Sequence, residues 1–250
     1  MEPPGTGGGA GIRRRAAFST TRWGLVVAAA GWGSPDADRA LDDLCRRYWY
    51  PLYAFVRRRG YSAEDAEDLT QEFFARLLAR GYLARAEAAK GRFRSYLLAG
   101  MRNLLSDESD RAGRAKRGGG VAPVSIDRGE AESRYCLEPA DHTTPEALFE
   151  RCWTATLLAR VAERLGNEYR SAGKGVLYEQ LTEFRLDSNS QRPYAAAAAE
   201  LGISESAVRS AIHRLRQRHA QLVREEIAAT VKDPAEVENE IRYLLAVVGR

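Results

Sequence analysis

Cysteine and histidine are scarce in this chain, at three of each in 250 residues. Cys45, Cys136 and Cys152 are scattered, form no CxxC pair and are odd in number. That argues against a disulfide framework and points to a reduced cytosol. The histidines show no repeated ligand spacing, so neither a structural zinc nor any other cofactor is expected. Long apolar runs are missing too. None approaches the length that crosses a membrane, and residues 26–30 are too short for a secretory core despite Arg13, Arg14 and Arg15 before them. The expected location is the cytoplasm, with no membrane partner and no small-molecule substrate. Alternating apolar and polar residues, the mark of half-buried strands, occur nowhere. The fold is therefore expected to be all-α. What remains is a modest net charge of +4, which suits a nucleic-acid partner and many other soluble proteins equally.

The most organised stretch is 192–218, RPYAAAAAELGISESAVRSAIHRLRQR. Its alanines favour a helix, Gly202 suits the left-handed residue that ends one, and Ser204 is placed to cap the next. Ile203 is expected to plug the angle between the two helices. Val208, Ile212, Leu215 and Leu222 then make one apolar stripe. Ser206, Arg209, Ser210, His213 and Gln217 share the opposite face, edged by Arg214 and Arg216. A short helix, a small turn and a second helix with a basic outer face describe a helix-turn-helix. Such a helix fits the major groove, where arginine donates two bonds to a guanine edge.

Two earlier stretches carry a second kind of signal. Ser62 caps AEDAEDLTQEFFARLLAR, in which Leu69, Phe73, Leu77 and the stem of Arg76 share one side. Glu64, Glu67, Asp68 and Gln71 line another side, flanked by Phe74 and Leu78. Apolar neighbours beside a polar stripe suit a protein-docking face as well as solvated surface. Residues 93–110 form a further helix with Tyr96, Leu97, Met101, Leu104 and Leu105 as its apolar positions. It carries Arg94, Arg102 and Asn103, then runs into Arg111, Arg114, Lys116 and Arg117 before three glycines. A helix ending in a basic run suits phosphate contact, and Phe93 and Tyr96 suit base stacking.

Around these lie a disordered tail over 1–17, a first helical unit over 18–117 and a linker over 118–145 with a short helix near 130–136. A second unit, 146–231, contains the helix-turn-helix, and 232–250 is a helical extension. Within 36–59, Pro51 is expected to kink or divide the helix, and Tyr48, Trp49, Tyr50 and Tyr53 are expected in the core. The stripe Val237, Ile241, Leu244, Leu245 and Val248 in the extension is too short to stand alone in water. Its expected support is the helical body of the second unit; the alternative is that it covers the DNA-reading face or the first unit and keeps the chain closed. The architecture is two small helical domains joined by a flexible linker.

AEDLTQEFF, RSYLLAGMRNLLSDESDR and ELGISESAVRSAIHRLR, in that order, resemble the bacterial RNA polymerase sigma factors of the extracytoplasmic-function type. The resemblance covers roughly residues 41–223. It implies that Asp68 and Gln71 meet core RNA polymerase, with Glu64, Glu67 and Phe74 beside them. Asn103 falls on the position lining a pocket for a flipped base of the −10 element. Arg92, Arg94, Tyr96, Arg102 and the 111–117 basic run accompany it, and residues 83–92 match the specificity loop. Arg209, Ser210 and Arg214 match residues facing the −35 element, joined by Ser204, Ser206, His213 and Arg216. Tyr96 stands where tryptophan is usual, and Ala211 where a basic residue is frequent. No metal site and no chemistry are implied. The expected partners are core RNA polymerase and promoter DNA; an anti-sigma factor is a candidate that the sequence leaves open. A stand-alone regulator binding duplex DNA as a dimer would use the same helix-turn-helix, but leaves the 64–78 stripe and the Asn103 segment without a task. An enzyme built on the acidic residues 64–68 lacks a histidine, a nucleophile or a phosphate loop to join them.

Overall fold

The computed structural model describes residues 35–78, 92–112, 128–138, 143–184, 193–231 and 233–248. Among them every regular element is helical. Residues 1–34, 79–91, 113–127, 139–142, 185–192, 232 and 249–250, among them most of the expected specificity loop and of the basic run, lie outside the described residues.

Helix α1, Pro35–Arg58, is the central element. From Tyr48 to Val56 every residue is buried, and a helix that is buried all round has to sit inside the molecule. Trp49 stacks on Tyr53 with ring centres 5.2 Å apart. Tyr48 meets Phe93 edge-on at 5.4 Å and Trp153 face-on at 6.4 Å. The aromatic cluster is core, as its helical spacing suggested. Pro51 lies inside one unbroken helix instead of dividing it. A helical proline costs about 3 kcal/mol, and burial of its neighbours on every side outweighs that.

Gly60, at φ 96°, ends the turn after α1. Ser62 then opens α2, Ala63–Leu78. Its Oγ accepts the Asp65 amide at 3.0 Å and donates to the Asp65 carboxylate at 2.7 Å, which ties the first helical turn to its cap. Helix α3, Phe93–Ala112, buries Phe93, Leu97, Leu98, Met101, Leu104 and Leu105. The short helix expected inside the linker is α4, Arg128–Cys136. It is tied to α1 through Glu132, which accepts from the Tyr53 hydroxyl at 2.5 Å and from Arg57 at 2.6 and 3.0 Å.

Helix α5, Pro145–Ser171, starts with proline at its first turn, and the Thr144 side chain accepts from the Ala147 amide. Leu148, Phe149, Trp153, Leu157, Val161 and Leu165 form its buried stripe. This stripe faces α1, and the α1–α5 pair is the most extensive in the fold. The two helical halves expected as separate domains thus share one core. Helix α6, Gly175–Leu181, follows, then α7, Tyr194–Leu201, and α8, Glu205–Ala228. Helix α9, Val237–Val248, packs on α5 and α8, the support its apolar stripe called for. Leu245, expected in that stripe, is 68% exposed. The buried positions Val237, Glu240 and Leu244 recur at three and four residues, so the true seam lies one position off the purely apolar one.

Burial pushes the thiols of Cys45 and Cys152 up to about 12, whereas Cys136 is exposed. Because only thiolate reacts, iodoacetamide at pH 8 is expected to modify Cys136 alone in the native protein. All three cysteines should react after denaturation. Mass spectrometry of the native digest checks this, and rapid labelling of Cys152 would contradict the α1–α5 packing.

Candidate docking and nucleic-acid-binding faces

The polar stripe of α2 divides by depth. Glu64 and Asp68 are exposed, Gln71 is half-buried and Glu67 is buried. Gln71 Nε2 donates to Glu67 Oε1 at 3.0 Å, one helical turn apart, so Glu67 orients the amide while Asp68 faces water. Phe74 does not belong to this surface. It is 1% exposed and stands edge-on to Phe73 at 5.9 Å. The helix needs two adjacent aromatic positions to fill the angle between α1 and α3, which removes Phe74 from the expected docking set. The acidic residues 64–68 do not form a metal centre, and among the described residues no group of three histidine, cysteine, aspartate or glutamate side chains is arranged to hold a metal.

On α3, Arg102 and Asn103 are exposed. Arg102 pairs with Glu146 at 2.8 Å, both partners being largely solvated, so the bond is weak and readily exchanged. Tyr96 is half-buried and stacks on Phe93 at 6.3 Å. Arg94 is a different case and corrects the sequence reading. It is 1% exposed, pairs with Glu150 of α5 at 2.6 Å and with Glu240 of α9, and lies 4.7 Å over the Trp153 ring. Arg92 is also engaged, 2.7 Å from Glu240 and 5.0 Å over the Tyr243 ring. Both arginines, expected at the −10 DNA face, have internal carboxylates as partners in the fold. Burial pushes the Glu150 carboxyl up even with Arg94 against it. Arg111 belongs to α3, but its side chain, like Arg114, Lys116 and Arg117, lies outside the described residues.

The turn between α7 and α8 is closed by backbone geometry. Gly202 has φ 65°, its amide donates to Ala199, and the Ile203 amide donates to Ala198, the paired bonds of a Schellman cap. Ile203 does not plug the angle; it is 40% exposed. Ser204 caps α8 by accepting the Ala207 amide at 3.2 Å, so its hydroxyl is already engaged. Val208, Ala211, Ile212 and Leu215 face inward, and Ala211 therefore stands on the core side of the helix. Ser206, Arg209, Ser210, His213 and Arg214 are exposed. Arg209 lies 5.5 Å over the Tyr194 ring. Arg216 turns back and donates to the Phe184 carbonyl at 2.8 Å, which makes it a brace between α8 and the segment before α7. Sequence periodicity could not separate this arginine from its exposed neighbours.

Missed from sequence were the charges that fasten α8 in place. Arg218 holds Glu168 of α5 with two bonds, at 2.6 and 2.7 Å. Arg47 of α1 reaches Glu226 at 2.6 Å. These pairs are long-range, and no local pattern announces them. Arg218 holds the Glu168 carboxyl below the usual range.

Residues 44–115, from α1 through α3, match the family model described as sigma-70 region 2. Over 190 residues the chain is 27% identical to the ECF RNA polymerase sigma factor SigE of Mycolicibacterium smegmatis, covering 74% of this chain and 62% of that relative. The chain thus spans less than two-thirds of the relative's length. No solved structure matches. The family match covers the first two of the three motifs that carry the resemblance.

Because the folded-state pKa of Glu168 is lowered, its contribution to stability is present above the unfolded value, about 4.3. It is lost as pH falls through the folded value. Glu168→Gln is therefore expected to be less stable than wild type at pH 7, by a margin that narrows as pH falls below about 4.3. Urea midpoints across this range test it; a gap that does not change with pH would rule out the charge as the cause.

Proposed function

We propose that this chain, whose residues 44–115 form a sigma-70 region 2, binds core RNA polymerase and supplies it with promoter specificity. It carries no bond-making chemistry of its own. The observation that carries the reading is the exposure of Asp68 beside the oriented amide of Gln71 on α2, in the region that matches the family. This pair is the docking contact to core polymerase. On the neighbouring helix, Asn103 and Arg102 project to solvent at the positions that the resemblance assigns to the melted −10 strand. On α8, Arg209, Ser210, His213 and Arg214 form an exposed polar face of the kind that reads a −35 duplex in the major groove. Backbone contacts fix register, and the base-edge donors specify sequence.

Energetics divides the labour. Each melted base-pair step costs about 1.4 kcal/mol of stacking, while a captured base returns about 1–3 kcal/mol. One pocket and a few phosphate contacts hold a short bubble open only when the polymerase contributes. The free protein therefore binds DNA weakly, and duplex recognition through α8 is the part that it performs alone. The SigE relative is named as an RNA polymerase sigma factor, which supports the same partner here; an anti-sigma factor is a further proposed partner of the exposed α2 face.

Asp68→Ala combined with Gln71→Ala is expected to weaken core binding with an unchanged circular dichroism spectrum, since neither side chain is part of the apolar core. Undiminished affinity would remove the docking assignment. Arg209→Ala is expected to cost about 1–3 kcal/mol at a cognate −35 site and to relax base preference there. Asn103→Ala should spare −35 binding and reduce permanganate reactivity of the bubble; full reactivity would exclude the pocket role.

A further inference from the structure

The arginines at the start of α3 are held as a bound phosphate would hold them, but by the chain itself. Glu240 is 0% exposed. One of its oxygens lies against Arg94 and the other 2.7 Å from Arg92, so a single carboxylate spans both guanidinium groups. Glu150 completes the neutralisation of Arg94 from α5. Tyr243, one turn beyond Glu240 on α9, covers the pair from the side. The cluster is not fully satisfied: among the described residues Arg94 Nη2 and Glu240 Oε2 have no hydrogen-bond partner, so Arg92 meets Glu240 as an ion pair alone. A half-satisfied buried network is easier to open than a complete one.

Scale gives the closure a consequence. The −10 and −35 elements lie about 25 base pairs apart by their labels, which is roughly 85 Å of duplex at 3.4 Å per step. A compact chain of this size has a radius of gyration near 18 Å, hence a diameter of roughly 45 Å. With α1 packed on α5, the α3 and α8 faces cannot reach both elements together. We propose that α9 is an intramolecular latch: Glu240 occupies the Arg92–Arg94 pair in place of nucleic-acid phosphate and holds the chain in a closed form that DNA engagement must open. The promoter geometry in this argument rests on the sigma-factor reading; the occupancy of the arginine pair does not.

The test uses the full chain and a mixed-sequence single-stranded oligonucleotide. Glu240→Gln is compared with Glu236→Gln, an exposed residue that controls for the loss of one negative charge. Two released arginines that reach phosphates should steepen the slope of log affinity against log salt by about 1.4 for a single strand. The affinity should rise about 5- to 150-fold, the range of allosteric coupling, with faster amide exchange over 237–248. Equal behaviour of the two variants would overturn the latch and leave Glu240 a structural residue. A second measurement needs no variant: amide exchange over 237–248 in wild type, alone and in complex with core polymerase and promoter DNA. Faster exchange in the complex is expected, and unchanged protection would overturn the proposal. Failure of the wild type to bind core polymerase at all would overturn the sigma-factor reading instead, with the oligonucleotide comparison still deciding the latch.

Discussion

A guanidinium removed from water has to be neutralised where it lies, and Arg94 sets that demand at the junction of three helices. Its partners come from α5 and α9, and its stem belongs to α3. An unpaired charge at this depth would cost about 3–5 kcal/mol, so the helices that supply Glu150 and Glu240 are constrained to meet there. Such a cluster contributes little net stability compared with apolar packing of equal volume, because desolvation consumes most of the Coulombic gain. What it contributes is registration. Helix α9 cannot slide along α5 by a turn without stranding a carboxylate on one side and a cation on the other.

The apolar counterpart is the α1–α5 contact. Phe93, Tyr48 and Trp153 form a continuous aromatic path from α3 through α1 to α5, and the Arg94 guanidinium rests on the Trp153 ring at its end. The charged cluster and the aromatic core are therefore one feature seen from two sides. Arg47–Glu226 and Arg160–Asp43 repeat the pattern at other points of the same seam. Each joins an element of the N-terminal half to one of the C-terminal half. The seam between the halves therefore combines ion pairs with aromatic packing.

The placement of the faces follows from which residues this seam consumes. Asp68, Asn103, Arg209 and Arg214 are left in solvent; Phe74, Arg94 and Arg216 are taken into the fold. Core and surface arginines look alike in a list of residue types. A guanidinium on a long apolar stem can snorkel outward or fold back onto an acceptor, and the choice depends on a partner 32 positions away for Arg216 and 56 for Arg94.

Local chemistry alone determined much of this protein. Helical periodicity, the Ser62 and Ser204 caps and the left-handed Gly202 depend on neighbours within four residues, and the sequence displays them directly. The three motifs and their order, which carry the family resemblance, are equally local. Only the tertiary structure decided that Pro51 sits in an unbroken helix, that Ile203 faces water, and that the two halves share a core. It alone decided that Glu240 reaches across 146 positions to Arg94. Those outcomes turn on burial and on pairing between distant charges, and desolvation is a property of the assembled surroundings that no single stretch of sequence contains.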